Sequence, residues 1–183
     1  EGAGRTDFAG RLLEWLDPRH VQVHALAAPT DEERERPRFW RFWRKLPSKG
    51  RLAVFLGSWY TEPIIGRAFK EIDRDRFAVE MDRIVEFEAM LSREGVKLVK
   101  LWFHLSKKGQ RRRFEQLEAD KDTSWRVSPQ DWKFHARYDR FRKVSEEALL
   151  KTSTAEAPWE IIEAADSRWR DVTAAKRIIQ ALE

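Results

Sequence analysis

The chain has 183 residues, 42% of them hydrophobic, and sets 36 Lys and Arg against 31 Asp and Glu for a net charge of +5, enough apolar content for one domain with a packed core. It contains no cysteine, which excludes disulfides and thiolate chemistry and fits a reducing cytoplasm. No apolar run approaches the ~20 residues of a membrane span and the amino terminus carries no signal-peptide pattern, so a soluble, cytoplasmic protein without a membrane partner is expected.

Leu12, Leu13, Trp15 and Leu16 predict a helix over 7–16 that stops at Asp17-Pro18, and the alternation over 21–26 predicts a strand. Thr30-Asp31-Glu32-Glu33 has the form of a capping box, with a helix expected to run to about Lys45 through Pro37. Pro47-Ser48-Lys49-Gly50 reads as a turn before a short buried strand over 51–56. Phe77, Met81, Ile84, Val85, Phe87 and Leu91 recur at helical spacing, which predicts a helix over 75–93 closed by Glu94-Gly95. A second apolar strand is expected over 96–105, with Ser106 as the N-cap of the helix after it. Ser128-Pro129-Gln130-Asp131 opens another helix, residues 159–164 form a last strand, and Ser167 is expected to cap a terminal helix to about residue 182.

Strands alternating with helices imply an α/β fold: a parallel sheet with helices on both faces. Ligands of such sheets bind beyond the carboxyl ends of the strands. Residues 1–6, 57–60, 106–107 and 164–166 follow strand ends, so they are expected to converge on one crevice.

Between Lys100 and Arg113 the cations Lys107, Lys108, Arg111, Arg112 and Arg113 occur without an intervening acid, a local field suited to a polyanion. Nucleic acid, nucleotide phosphates and polyphosphate would all satisfy that field, and nucleic acid has only charge in its favour. His20, His24, His104 and His135 lack metal-ligand spacing, and no Gly-x-Ser-x-Gly elbow is present.

A set of ordered motifs runs through the chain: Glu1-Gly2, Ala3-Gly4-Arg5, Leu16-Asp17-Pro18-Arg19, Ala28-Pro29-Thr30, Gly57-Ser58-Trp59-Tyr60, His104-Leu105-Ser106-Lys107, Gln110, Arg113-Phe114, Trp125-Arg126, Asp131-Trp132, Thr152-Ser153-Thr154 and Ala157-Pro158-Trp159. With these the chain resembles, over nearly its whole length, the type-2 polyphosphate kinases, including the polyphosphate:AMP phosphotransferases. The resemblance implies a P-loop-kinase-like domain over 1–183 with a helical lid at approximately 107–140. It also implies Mg²⁺ as cofactor and inorganic polyphosphate with AMP or ADP as partners. The family's first strand has no counterpart before Glu1, so the chain is expected to be part of a longer polypeptide.

The same resemblance assigns phosphate or polyphosphate binding to Gly2, Gly4, Arg5, Thr6, Lys107, Arg113 and Arg126, and the floor of the crevice to Ser58, Trp59 and Tyr60. Arg5 takes the position of the loop's catalytic lysine, in a loop about three residues shorter than the family form and without its aspartate. Leu56 and Gly57 stand where the family has a metal-binding acid and an arginine, with Glu62 the nearest alternative carboxylate. Mg²⁺ binding is therefore expected to be weak or absent and phosphoryl transfer impaired, as in the eroded half of a two-domain member. The alternative is a non-catalytic structural or polyphosphate-binding module that pairs with an active fused domain or with another copy.

Overall fold

A computed structural model describes residues 2–182. They form two compact units, residues 6–62 and residues 2–5 together with 63–182. In the first, α1 (Arg5–Trp15) buries Phe8, Ala9 and Leu12, the stripe that helical spacing places on one face. A 3₁₀ turn, Pro18–His20, follows, with the Asp17 carboxylate accepting from the Arg19 amide at 2.9 Å. It leads into β1 (Val21–Ala25).

Thr30 caps as expected: its Oγ1 accepts from the Glu33 amide at 3.2 Å, and the Glu33 carboxylate accepts from the Thr30 amide at 3.0 Å. The helix does not continue to Lys45. It stops as α2 (Asp31–Glu35), and α3 (Trp40–Trp43) is a separate turn. Pro37 forces the correction, because the residue before a proline is pushed out of the helical region, and Arg36 sits at φ −95°, ψ 161°. β2 (Leu52–Leu56) is half-buried along its length rather than buried, and pairs in parallel with β1, Val21 opposite Leu52 and Ala25 opposite Leu56.

α4 (Thr61–Phe69), which the sequence pattern did not indicate, buries Pro63, Ile64, Gly66 and Ala68. α5 (Arg74–Arg93) starts at the Asp73 cap and fully buries Phe77, Met81 and Ile84. Each such side chain contributes about 1.5–3 kcal/mol by leaving water. β3 (Lys100–His104) is shorter than the run expected over 96–105, because pairing begins only where Lys100 meets Trp159. α6 (Lys107–Ala119), α7 (Pro129–Ala136) and α8 (Tyr138–Thr152) follow, with α8 packed on α5. β4 (Trp159–Glu163) pairs in parallel with β3.

The last helix, α9 (Ser167–Leu182), is capped one residue earlier than expected, since the Asp166 carboxylate accepts from the Trp169 amide at 2.8 Å. Thus the described strands form two parallel ladders, β1–β2 and β3–β4, within a helix-rich α/β fold. None of the described helices is long and apolar enough to cross a membrane.

Candidate functional site

One candidate region lies in the second unit. Gly2 and Ala3 form a turn, Gly4 takes φ +73°, and α1 begins at Arg5. This order presents the first backbone amides of a helix just after a glycine turn, the arrangement that receives phosphate oxygens. The turn is packed on two sides. A Cβ on Gly2 would stand 2.8 Å from Gln110 Cγ and 3.1 Å from Phe114 Cε1, both on α6. A Cβ on Gly4 would stand 1.7 Å from Arg170 Nη1 on α9. Helices that start at the ends of β3 and β4 therefore flank the turn. Arg5 and Thr6 are exposed, and Glu1 lies outside the described residues.

α6 carries the basic cluster. Ser106 caps it, its Oγ accepting from the Gly109 amide at 3.1 Å. Lys107 is exposed but bonded: its ammonium donates to the Asp139 carboxylate at 2.7 Å. That bond holds the Asp139 carboxyl below the usual carboxylate range. Arg111 pairs with Glu115 at 2.8 Å, one turn on along the same exposed face. Arg113 is half-buried on α6, and Arg126 is half-buried at the end of the 3₁₀ turn Ser124–Arg126.

α6 and α7 pack as a helical hairpin. Phe114 meets Trp132 edge to face at 5.2 Å, and the Trp132 indole donates to Glu118 at 2.8 Å. His135 Nδ1 bonds Gln110 Oε1 at 2.8 Å. Burial, then the charges of Lys107 and Arg111, push the His135 pKa below its ordinary value. The Tyr138 hydroxyl donates to the Leu105 carbonyl at 2.8 Å, and burial pushes its pKa up.

The other candidate region is the end of β2 in the first unit. Leu56 closes the ladder opposite Ala25, and Gly57 turns the chain at φ +86°. Trp59 and Tyr60 are buried, with Trp59 stacked edge to face on Phe42 at 5.5 Å and tilted on Phe55 at 5.9 Å. The Ser58 amide donates to Thr61 Oγ1 at 3.0 Å.

A buried arginine organises this end. Arg41 donates to the Ala27 carbonyl at 2.9 Å and stands 3.5 Å from both Glu33 and Glu62. Glu62, the nearest carboxylate to Leu56 along the chain, is thus engaged by a guanidinium. The described residues contain no cluster of three or more metal-ligating side chains. Leu56 offers no donor atom, so a side-chain ligand for Mg²⁺ at the end of β2 would have to come from another residue.

Sequence reasoning missed Arg41, Asp139 and Arg170. Arg170 carried a usable signal, because it and Asp171 share the buried stripe of α9 with Ala174 and Ile178, where charge is out of place.

A family model described as Polyphosphate kinase 2 (PPK2) matches residues 1–183. The chain is 43% identical over 183 residues to a polyphosphate:AMP phosphotransferase of Pseudomonas aeruginosa. It is 39% identical over 186 residues to a polyphosphate:AMP phosphotransferase of Pseudomonas syringae pv. tomato. All of the chain is matched in both cases, but it spans only 37% of the length of each relative. The crystal structure of polyphosphate kinase 2 from Arthrobacter aurescens TC1 superposes with a TM-score of 0.91 at 29% identity, covering 98% of this chain and 64% of that one.

Proposed function

The chain belongs to the polyphosphate kinase 2 family, and from that premise we propose that it is a domain of a polyphosphate-dependent nucleotide phosphotransferase with weakened chemistry of its own. The observation that supports this reading most directly is the Gly2–Gly4 turn feeding α1 while packed against α6, whose first two turns expose Lys107, Lys108, Arg111 and Arg112. The reaction breaks the P–O bond to the terminal phosphoryl group of polyphosphate. A phosphate oxygen of AMP or ADP forms the new bond, and the shortened polymer leaves.

No protein nucleophile is needed, since positioning and charge neutralisation drive phosphoryl transfer. Gly2, Gly4 and the α1 amides would hold phosphate oxygens, and Arg5 would meet the transferred group in place of a lysine. Lys107, Arg113 and Arg126, on or beside the α6–α7 hairpin, would act as the lid that lines the polymer's path.

Family kinases are taken to need Mg²⁺, which would supply neutralisation of phosphate charge. Leu56, Gly57 and Arg5 replace groups that handle this charge, so transfer by this chain should be slow. With polyphosphate, Mg²⁺ and AMP or ADP, turnover is expected far below the ~1–100 per second of ordinary kinases, while polyphosphate binding is retained. Turnover in the ordinary range would remove the impairment. Failure to bind polyphosphate at low ionic strength would overturn the reading itself.

A further inference from the structure

Arg170 lies 5% exposed in the first turn of α9 and does not face solvent as an ordinary helix arginine does. Its Nε and Nη2 both reach Asp171 Oδ1, at 2.8 and 2.7 Å, so its charge is neutralised by its own neighbour. Its guanidinium also lies 5.9 Å from the Phe103 ring. The remaining nitrogen, Nη1, donates to the Ala3 carbonyl at 3.3 Å and occupies the space where a Cβ of residue 4 would be. Gly4 is therefore required twice, by its positive φ and by the guanidinium seated against its Cα.

We infer that Arg170 is the positioning residue of the glycine turn: it holds the chain at residues 3 and 4 and so fixes how the amides of residues 4 and 5 are presented to phosphate. This rests on the reading of the turn as a phosphate loop. A guanidinium suits the task where an ammonium does not, because its planar fork can bond Asp171 and Ala3 at once. Since Asp171 already balances the charge, Arg170 acts on bound phosphate through the shape of the turn.

The test uses the full chain with tripolyphosphate as probe, by calorimetry at fixed ionic strength, alongside amide hydrogen exchange over residues 4–7 and thermal unfolding. Arg170→Met should remain folded, lose exchange protection over 4–7, and bind tripolyphosphate about tenfold more weakly; Arg170→Lys should recover only part of both. Gly4→Ala should also weaken binding, and its penalty should shrink in an Arg170→Ala background, where the added methyl enters vacated space.

A folded Arg170→Met protein with wild-type protection and affinity would overturn the inference, as would penalties of Gly4→Ala and Arg170→Ala that simply multiply. A merely structural arginine would lower the melting temperature and leave the affinity of the folded protein unchanged. If the wild-type chain fails to bind tripolyphosphate, the phosphate-loop reading falls. The exchange data then decide Arg170: lost protection supports its hold on the turn, and unchanged protection overturns it.

Discussion

The ammonium of Lys100 lies 2.7 Å from Glu88 Oε2 and 2.7 Å from the Thr152 carbonyl, so one buried cation joins α5, β3 and the end of α8. Both charged side chains are almost wholly shielded, at 6% and 1% exposure, and the ammonium stands 5.1 Å from the Trp159 ring. Burial pulls the Lys100 pKa down, and Glu88 opposes that shift.

Removing one member of such a pair leaves an uncompensated buried charge. Lys100→Met should therefore cost about 3–5 kcal/mol in urea unfolding, whereas Lys100→Met with Glu88→Leu should recover most of the loss. A double variant as unstable as the single one would show that geometry rather than charge governs this corner.

Acid should loosen the α6–α7 hairpin before it unfolds the carboxylate pairs. The His135 pKa is lowered in the folded state, by burial first and by Lys107 and Arg111 next. A group of this kind stabilises the fold fully above its unfolded value of about 6.5, and the contribution disappears as pH falls through the lowered folded value. His135→Gln, which can keep a polar contact to Gln110, should flatten the stability profile over that window. An unchanged slope in thermal unfolding from pH 7.5 to about 5 would contradict this.

Polyphosphate affinity should fall steeply with salt, because each neutralised phosphate releases a counterion. Lys107→Glu with Arg113→Glu should weaken binding and flatten that dependence. Asp139→Asn is expected to act in the opposite direction, since it releases the Lys107 ammonium from its 2.7 Å partner. Titrations at several ionic strengths report both effects.

Gly57 limits how the β2 end can be rebuilt. A Cβ at this position would stand 3.5 Å from Thr61 Oγ1 and 3.6 Å from the Leu26 carbonyl, ordinary contact, but the φ of +86° does not suit an L side chain. Gly57→Ala should cost about 1–2 kcal/mol by thermal unfolding, and Gly57→Asn less. Gly57→Arg, the change that the proposed reading suggests, carries the same backbone penalty. With Leu56→Asp and Arg5→Lys, it should raise Mg²⁺-dependent nucleotide binding only if that penalty is tolerated.

Features written in nearest-neighbour chemistry could be read from the chain. The α5 period, the Thr30 capping box, the Ser128 cap and the strand cores are short-range patterns, and they appear within a few residues of their expected bounds. α4 was missed because Pro63 and Gly66 weaken a helical reading that tertiary burial then rescues. The Pro37 break could have been read from the residue before it, and the capping box hid it. Arg41 and Arg170 escaped for another reason: each acts by reaching a backbone carbonyl far along the chain, and no local pattern records such a partner.

The contact between Arg170 and Ala3 joins residues 167 positions apart. During synthesis the glycine turn would leave the ribosome long before the helix that shapes it, and closing so long a loop is among the slower events of folding. The conformation of the turn would consequently be among the last features to form. A nascent chain would carry the turn unshaped, and if the turn receives phosphate as proposed, ligand capture would report completed folding more faithfully than the appearance of helix.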